Sequence, residues 1–207
     1  VIKTNSKIYC RLLVILPVAL GVISLLHART LEDIQLKPTN KIGFYIGSFD
    51  PLHKGHEIII EKALQTYCDY IVVLADNFYN SKKPHRKIYQ IRQKMLQALY
   101  DEHPKILLTY KNQNELLGYL QAAQVTIVGI LGSDSAHETA VSDFIAHRLI
   151  IILRKAYEED ISGMIMLAAC PVTIAPFYSI DISSTVIKAK IKNKQLIFED
   201  ELNPKML

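Results

Sequence analysis

The chain has 207 residues, with 24 Lys and Arg against 20 Asp and Glu for a formal net charge of +4. Half of the residues are hydrophobic and 21% are charged, which excludes a wholly disordered chain. Eight glycines and eight prolines exclude collagen-like or Pro/Gly low-complexity sequence, and the length suits one domain with an appendage. The location of the charge matters more than its total. Lys3, Lys7 and Arg11 precede residue 12, and no acid appears before Glu32, so the remainder of the chain is close to neutral. The nearest basic runs are Ser81–Lys87 and Lys188/Lys190/Lys192/Lys194. Neither is a nucleic-acid-binding block, and no nucleic-acid partner is expected.

Behind the basic flank, Leu12 to Leu26 is an uncharged run of fifteen residues interrupted by Pro17 and Gly21. It is shorter than the roughly 18–20 apolar residues of a spanning helix. A basic start, a short apolar core and a small residue after it (Ala28) match the pattern of a secretory signal peptide. Residues 1–28 are therefore read as a signal-peptide-like or membrane-anchor segment, with membrane association through residues 12–26. The polar, Pro-containing stretch 29–40 reads as a linker, and 41–207 as the domain. Cys10, Cys68 and Cys170 sit singly, so neither a disulfide framework nor a zinc site is implied.

From Lys41 onward, short apolar runs alternate with amphipathic stretches. Residues 42–46, 70–75, 106–110, 125–130, 149–153 and 172–175 read as buried strands, being short, β-branched and bounded by polar or Gly/Pro punctuation. Residues 56–67, 89–100, 115–123, 136–148 and 158–169 have helical apolar spacing. This alternation predicts an α/β fold: a Rossmann-like, doubly wound parallel sheet with helices on both faces.

Ligands of such sheets bind outside the carboxyl ends of the strands. After the first strand the chain reads Gly47-Ser48-Phe49-Asp50-Pro51-Leu52-His53-Lys54-Gly55-His56, then enters an apolar helix. Gly47 permits a close backbone approach, and Asp50-Pro51 is a turn signal. Gly55 at the helix mouth would let a phosphate reach backbone N–H groups favoured by the helix dipole. His53 and His56 lie three apart on one face of the opening turn. Two imidazoles there can donate to an oxyanion that gains charge as a phosphoryl bond is exchanged. No third ligand is evident, so no metal site is expected. Near the other end, Asp181-Ile182-Ser183-Ser184-Thr185-Val186-Ile187-Lys188 places hydroxyls before a short helical run, with Ser183 or Ser184 as N-cap and Lys188 a turn later.

Together, Gly47–Pro51, His53-Lys54-Gly55-His56 and Ile182–Lys188 resemble the signatures of the HxGH nucleotidyltransferase superfamily, most closely the bacterial nicotinate-nucleotide adenylyltransferase branch. Weaker segments fit that branch as well. Lys83-Pro84-His85-Arg86 is similar to its Pro-His-Lys loop, and Arg92-Gln93-Lys94-Met95-Leu96 to its Arg-x-x-Met-Leu helix. Gly132-Ser133-Asp134 is similar to its Gly-x-Asp turn, and Arg154–Tyr157 to its Arg-Pro-Gly-Tyr segment. The resemblance spans roughly residues 41–195. Two departures stand out: Lys188 replaces the usual Arg, a point charge without a bidentate fork, and the chain has no Trp.

The resemblance implies adenylyl transfer from ATP to the phosphate of nicotinate or nicotinamide mononucleotide, with release of pyrophosphate, as in NAD biosynthesis. It assigns His53, His56 and Lys188 to catalysis. Gly47, Ser48, Phe49, Asp50, Gly55, Gly132, Asp134, Ser183, Ser184 and Thr185 would bind the nucleotide, and Lys83, His85, Arg86 and Arg92 the acceptor. Mg²⁺ would ride on ATP. The partners are then ATP and a small phosphate-bearing acceptor, and a homo-oligomer is compatible with the sequence. Within the superfamily, phosphopantetheine adenylyltransferase is the alternative, since Asn80-Ser81-Lys82-Lys83-Pro84 resembles its Asn-Pro-x-Lys-Lys-Pro loop. From another class, a non-catalytic nucleotide-binding relative would suit an exported chain. The leader argues for export and the supply of ATP for the cytoplasm; the cytoplasm is the expected compartment.

Overall fold

The computed structural model describes residues 31–76, 87–109, 113–133, 146–153, 165, 168–180 and 182–206. Six strands form one sheet: β1 (Lys41–Gly47), β2 (Tyr70–Ala75), β3 (Ile106–Leu107), β4 (Thr126–Gly132), β5 (Arg148–Leu153) and β6 (Val172–Tyr178). Their order is β3-β2-β1-β4-β5-β6, and every neighbouring pair is parallel. Among the described residues, four helices accompany them: α1 (Lys54–Thr66), α2 (Tyr89–Tyr100), α3 (Gln113–Ala122) and α4 (Ser184–Lys192).

The apolar runs became strands because side chains on both sheet faces are buried. Along β1, Ile42 and Phe44 pack with Leu116, Leu117 and Leu120 of α3. Tyr45 packs on the other face with Ile59, Ile60 and Ala63 of α1 and Leu96 of α2. A parallel strand covered on both faces needs apolar residues without alternation, which is how these segments read. Cys68, in this second cluster, donates its thiol to the Ala63 carbonyl at 3.4 Å, and burial pushes its pKa up to about 12. Such a thiol is a packing group with little thiolate at neutral pH.

Chain order reverses beside β1. The chain runs from β1 outward through β2 to β3, then returns to place β4 on the opposite side of β1. This reversal opens a crevice at the carboxyl ends of β1 and β4, the position at which doubly wound sheets take ligands. The turn after β1, with both histidines, lies at that end.

Several expectations shift in detail. Strand β3 is limited to two residues, pairing Ile71 with Ile106 and Val72 with Leu107. The helix expected to end at Arg148 overran: Arg148 begins β5, pairs with Val128 and donates from Nε to Thr173 Oγ1 at 3.0 Å. Residues 136–145 of that helix and most of the helix expected at 158–169 lie outside the described residues, while 146 and 147 are described and not helical. Within the expected linker, residues 31–40 are docked on the domain, because Leu31 is fully buried with Phe44, Leu74 and Leu149. The leader also lies outside the described residues. Among the described residues, no helix is long and apolar enough to cross a membrane.

Candidate active site at the sheet crevice

The turn leaving β1 is shaped by Phe49. Its backbone has a φ of 43°, in the left-handed region, and its ring is fully buried. A Cβ on Gly47 would lie 2.8 Å from Phe49 Cε1 and Cζ, so glycine at 47 makes room for that ring. The Asp50–Pro51 peptide that follows is cis. The Phe49 ring also meets His56 in a T-shaped contact, with ring centroids 5.1 Å apart at 80°.

Helix α1 starts directly after His53. The two imidazoles lie against one another, centroids 3.8 Å apart and planes at 33°. His53 is 1% exposed, and its N–H donates to His56 Nδ1 at 3.2 Å. Because Nδ1 accepts, the neutral His56 ring carries its proton on Nε2, as assigned from this hydrogen bond. The donor of the neutral His56 ring is then its Nε2–H. An imidazole N–H is chemically able to stabilise developing negative charge.

The helix mouth is less open to phosphate than the sequence suggests. Glu201 O accepts from Lys54 N at 3.1 Å, while His53 O accepts from His56 N at 2.8 Å and Glu57 N at 3.2 Å. Gly55, expected at the phosphate, also has a packing role. A Cβ there would lie 3.1 Å from His53 ring atoms and 3.2 Å from Ser179 Oγ, so its glycine lets α1 pack against the end of β6. Ser179, which sequence reasoning missed, is buried and donates to Gly55 O at 3.3 Å. One hydroxyl after an apolar run carried no signal that would single it out.

Helix α4 brings the second motif to the first. Ser183 is the N-cap, accepting from Val186 N at 3.2 Å. Ser184 Oγ donates to Pro51 O at 2.9 Å, tying α4 to the turn after β1. Thr185 is exposed. Lys188 Nζ donates to Asp50 Oδ2 at 3.0 Å, and Lys87 N donates to the same oxygen at 3.1 Å. Asp50, expected among the nucleotide contacts, is 4% exposed, and its carboxylate accepts from these two donors.

Arg92, expected on the acceptor side, is held by its own chain at the ends of β1 and β2. It is 2% exposed. Its Nε donates to Lys87 O at 2.9 Å, one terminal nitrogen to Ser48 O at 2.6 Å and Asp76 Oδ1 at 3.2 Å, and the other to Asp76 O at 2.5 Å. One guanidinium thus joins the ends of β1 and β2 to the chain entering α2. Its partner Asp76 was detectable in principle, as a carboxylate just past the carboxyl end of a strand.

Residues 193–206, for which the sequence offered no element, form a strap over α1. Lys190 pairs with Glu201, and Asn203 Nδ2 donates to Glu57 Oε2 at 3.3 Å. Leu202 is buried, and Met206 packs on the α1/α2 cluster. The hydrogen bond from Lys190 holds the Glu201 carboxyl below the usual glutamate range. Gly132 ends β4, buried at the crevice. Asp134, Lys83, His85 and Arg86 lie outside the described residues. Among the described residues, no three His, Cys, Asp or Glu side chains are grouped to hold a metal ion.

Residues 44–190 match the family profile described as cytidylyltransferase-like. Among curated proteins, a phosphopantetheine adenylyltransferase of Fusobacterium nucleatum is 37% identical over 79 residues, 36% of this chain and 48% of that enzyme. The chain thus spans about half the length of that relative. Its counterpart from Desulfotalea psychrophila is 28% identical over 155 residues, 73% of this chain and 81% of that enzyme. Among solved structures, the Plasmodium falciparum nicotinic acid mononucleotide adenylyltransferase complexed with NaAD superposes with a TM-score of 0.61 at 20% identity. That match covers 81% of this chain and 93% of the other, and at such identity it is a likeness of fold.

Proposed function

The chain belongs to the cytidylyltransferase-like family of nucleotidyltransferases, and from that premise we propose that it transfers the adenylyl group of ATP to the phosphate of a mononucleotide, nicotinate or nicotinamide mononucleotide. An acceptor phosphate oxygen attacks the α-phosphorus of ATP. The bond to the β-phosphate bridging oxygen breaks, and pyrophosphate leaves with that electron pair. One observation carries the reading: the sheet reversal brings the His53/His56 turn and the Ser183–Lys188 motif to the same crevice, linked through Asp50–Lys188 and Pro51–Ser184.

In this mechanism the chain supplies position and charge, with no covalent intermediate. His56 donates from Nε2 to a non-bridging oxygen of the α-phosphate as charge builds there. His53 supports it by stacking and through its backbone N–H. Lys188 neutralises the departing pyrophosphate. Mg²⁺ enters with ATP as part of the substrate. Asp134 is proposed for the ribose, and Lys83, His85 and Arg86 for the acceptor phosphate. ATP as substrate fits a cytoplasmic reaction.

Phosphopantetheine is the second acceptor, favoured by the curated relatives, which are phosphopantetheine adenylyltransferases. His53 favours the mononucleotide, since the phosphopantetheine enzymes usually have Thr there. Pyrophosphate release with ATP and each acceptor separates the readings. The expected outcome is turnover with a pyridine mononucleotide at least about tenfold above that with phosphopantetheine, a difference of the size one well-placed polar contact supports. The reverse ratio would transfer the assignment to the second acceptor, and silence with the whole panel would remove the enzymatic reading.

A further inference from the structure

Lys188 is a partly exposed member of the crevice: a four-carbon side chain, 41% exposed, whose ammonium would lose rotamer freedom on meeting a phosphate. The chain limits that freedom beforehand. Its Nζ sits 3.0 Å from Asp50 Oδ2, across 138 residues of sequence. The Asp50 side chain is 5% exposed, and the same oxygen is fixed by Lys87 N at 3.1 Å. The turn carrying Asp50 is itself held, by Arg92 on Ser48 O at 2.6 Å and by Ser184 on Pro51 O at 2.9 Å. An ammonium has three donors. One can stay on Asp50 while the others face an incoming anion.

We propose that Asp50 is the positioning residue for Lys188, presenting its ammonium to the polyphosphate of the nucleotide without itself contacting substrate. The inference rests on the nucleotide site of the reading above and adds to it a residue that acts through another. It also explains why lysine suffices where related chains carry arginine. A fork orients itself through its planar shape, whereas a point charge on a flexible stem needs a fixed partner. A carboxylate buried to this degree has no compensation from water, so its pairing with Lys188 is maintained in the resting chain.

The test separates charge from packing. Asp50→Asn keeps an sp² oxygen for Lys87 N and nearly the same volume, and removes only the charge that holds Lys188. Calorimetric titration with ATP is carried out on the wild-type chain, Asp50→Asn, Lys188→Met and the double variant, with thermal melting to confirm folding. Asp50→Asn is expected to weaken ATP about tenfold, as loss of a charge-assisted contact does. In the Lys188→Met background it is expected to add nothing, because the group it positions is gone. Equal weakening in both backgrounds, or no weakening in the wild-type background, overturns the proposal. Lys188→Arg, able to reach the same carboxylate, should restore most of the affinity lost in Lys188→Met. If the cycle shows this coupling while no acceptor is adenylylated, the positioning role stands and the enzymatic reading falls.

Discussion

Replacing His56 with alanine is expected to lower turnover at least about a hundredfold while leaving the fold intact, the usual consequence of losing a transition-state donor. The expectation follows from how the ring is held. Its Nδ1 is occupied by His53 N at 3.2 Å, and its ring lies against those of His53, centroids 3.8 Å apart, and Phe49, 5.1 Å. A ring fixed in this way has little reorganisation left to undergo when charge appears on the α-phosphate, so its contribution lies mainly in kcat. His56→Asn is the informative companion. Its side chain is shorter, so it can still meet His53 N but falls short of the crevice. It should be about as inactive as alanine and melt closer to the wild type. Turnover within threefold of wild type in either variant contradicts the role given to His56.

The second large effect concerns stability. Arg92→Met is expected to destabilise the chain by about 3 kcal/mol, the low end for breaking a buried charge pair, because Asp76 is 22% exposed and keeps some hydration. Methionine fills much of the space of the arginine stem but leaves Ser48 O, Lys87 O and Asp76 without their donor. Urea unfolding followed by circular dichroism measures it. A loss below about 1 kcal/mol would place Arg92 among ordinary surface ion pairs. Arg92→Lys should recover little, since one ammonium cannot span three separate acceptor groups as the planar guanidinium does.

These two residues mark what the sequence could and could not reveal. His53 and His56 were legible because the spacing within one helical turn is a local property, and so was the Ser183 cap. The strands were legible because a sheet covered on both faces demands continuous apolar runs, as in Tyr70–Ala75 and Leu149–Leu153. Asp50 and Arg92 sit within the same recognisable motifs, yet their work is non-local. Asp50 meets Lys188 across 138 residues, and Arg92 reaches Ser48 across 44. Nothing in local spacing distinguishes a carboxylate or guanidinium facing a ligand from one facing its own chain. The packing role of Gly55 was hidden for the same reason, since Ser179, which a Cβ there would meet at 3.2 Å, follows β6. The strap over α1 was invisible because residues 193–206 have no hydrophobic period; only Leu202 is buried there. Arg148 lay at the end of a stretch with helical apolar spacing, and pairing with Val128 made it a strand.

The central claim is that the two motifs meeting at the crevice catalyse attack at the α-phosphorus of ATP. Parallel incubations of the full chain with Mg²⁺, a pyridine mononucleotide and ATP labelled at either the α- or the γ-phosphorus test it most directly. The expected result is α-label in a dinucleotide product and γ-label in pyrophosphate, both lost in His56→Ala. Label from the γ-phosphorus on the acceptor, or α-label remaining wholly in ATP with every acceptor tried, would contradict it.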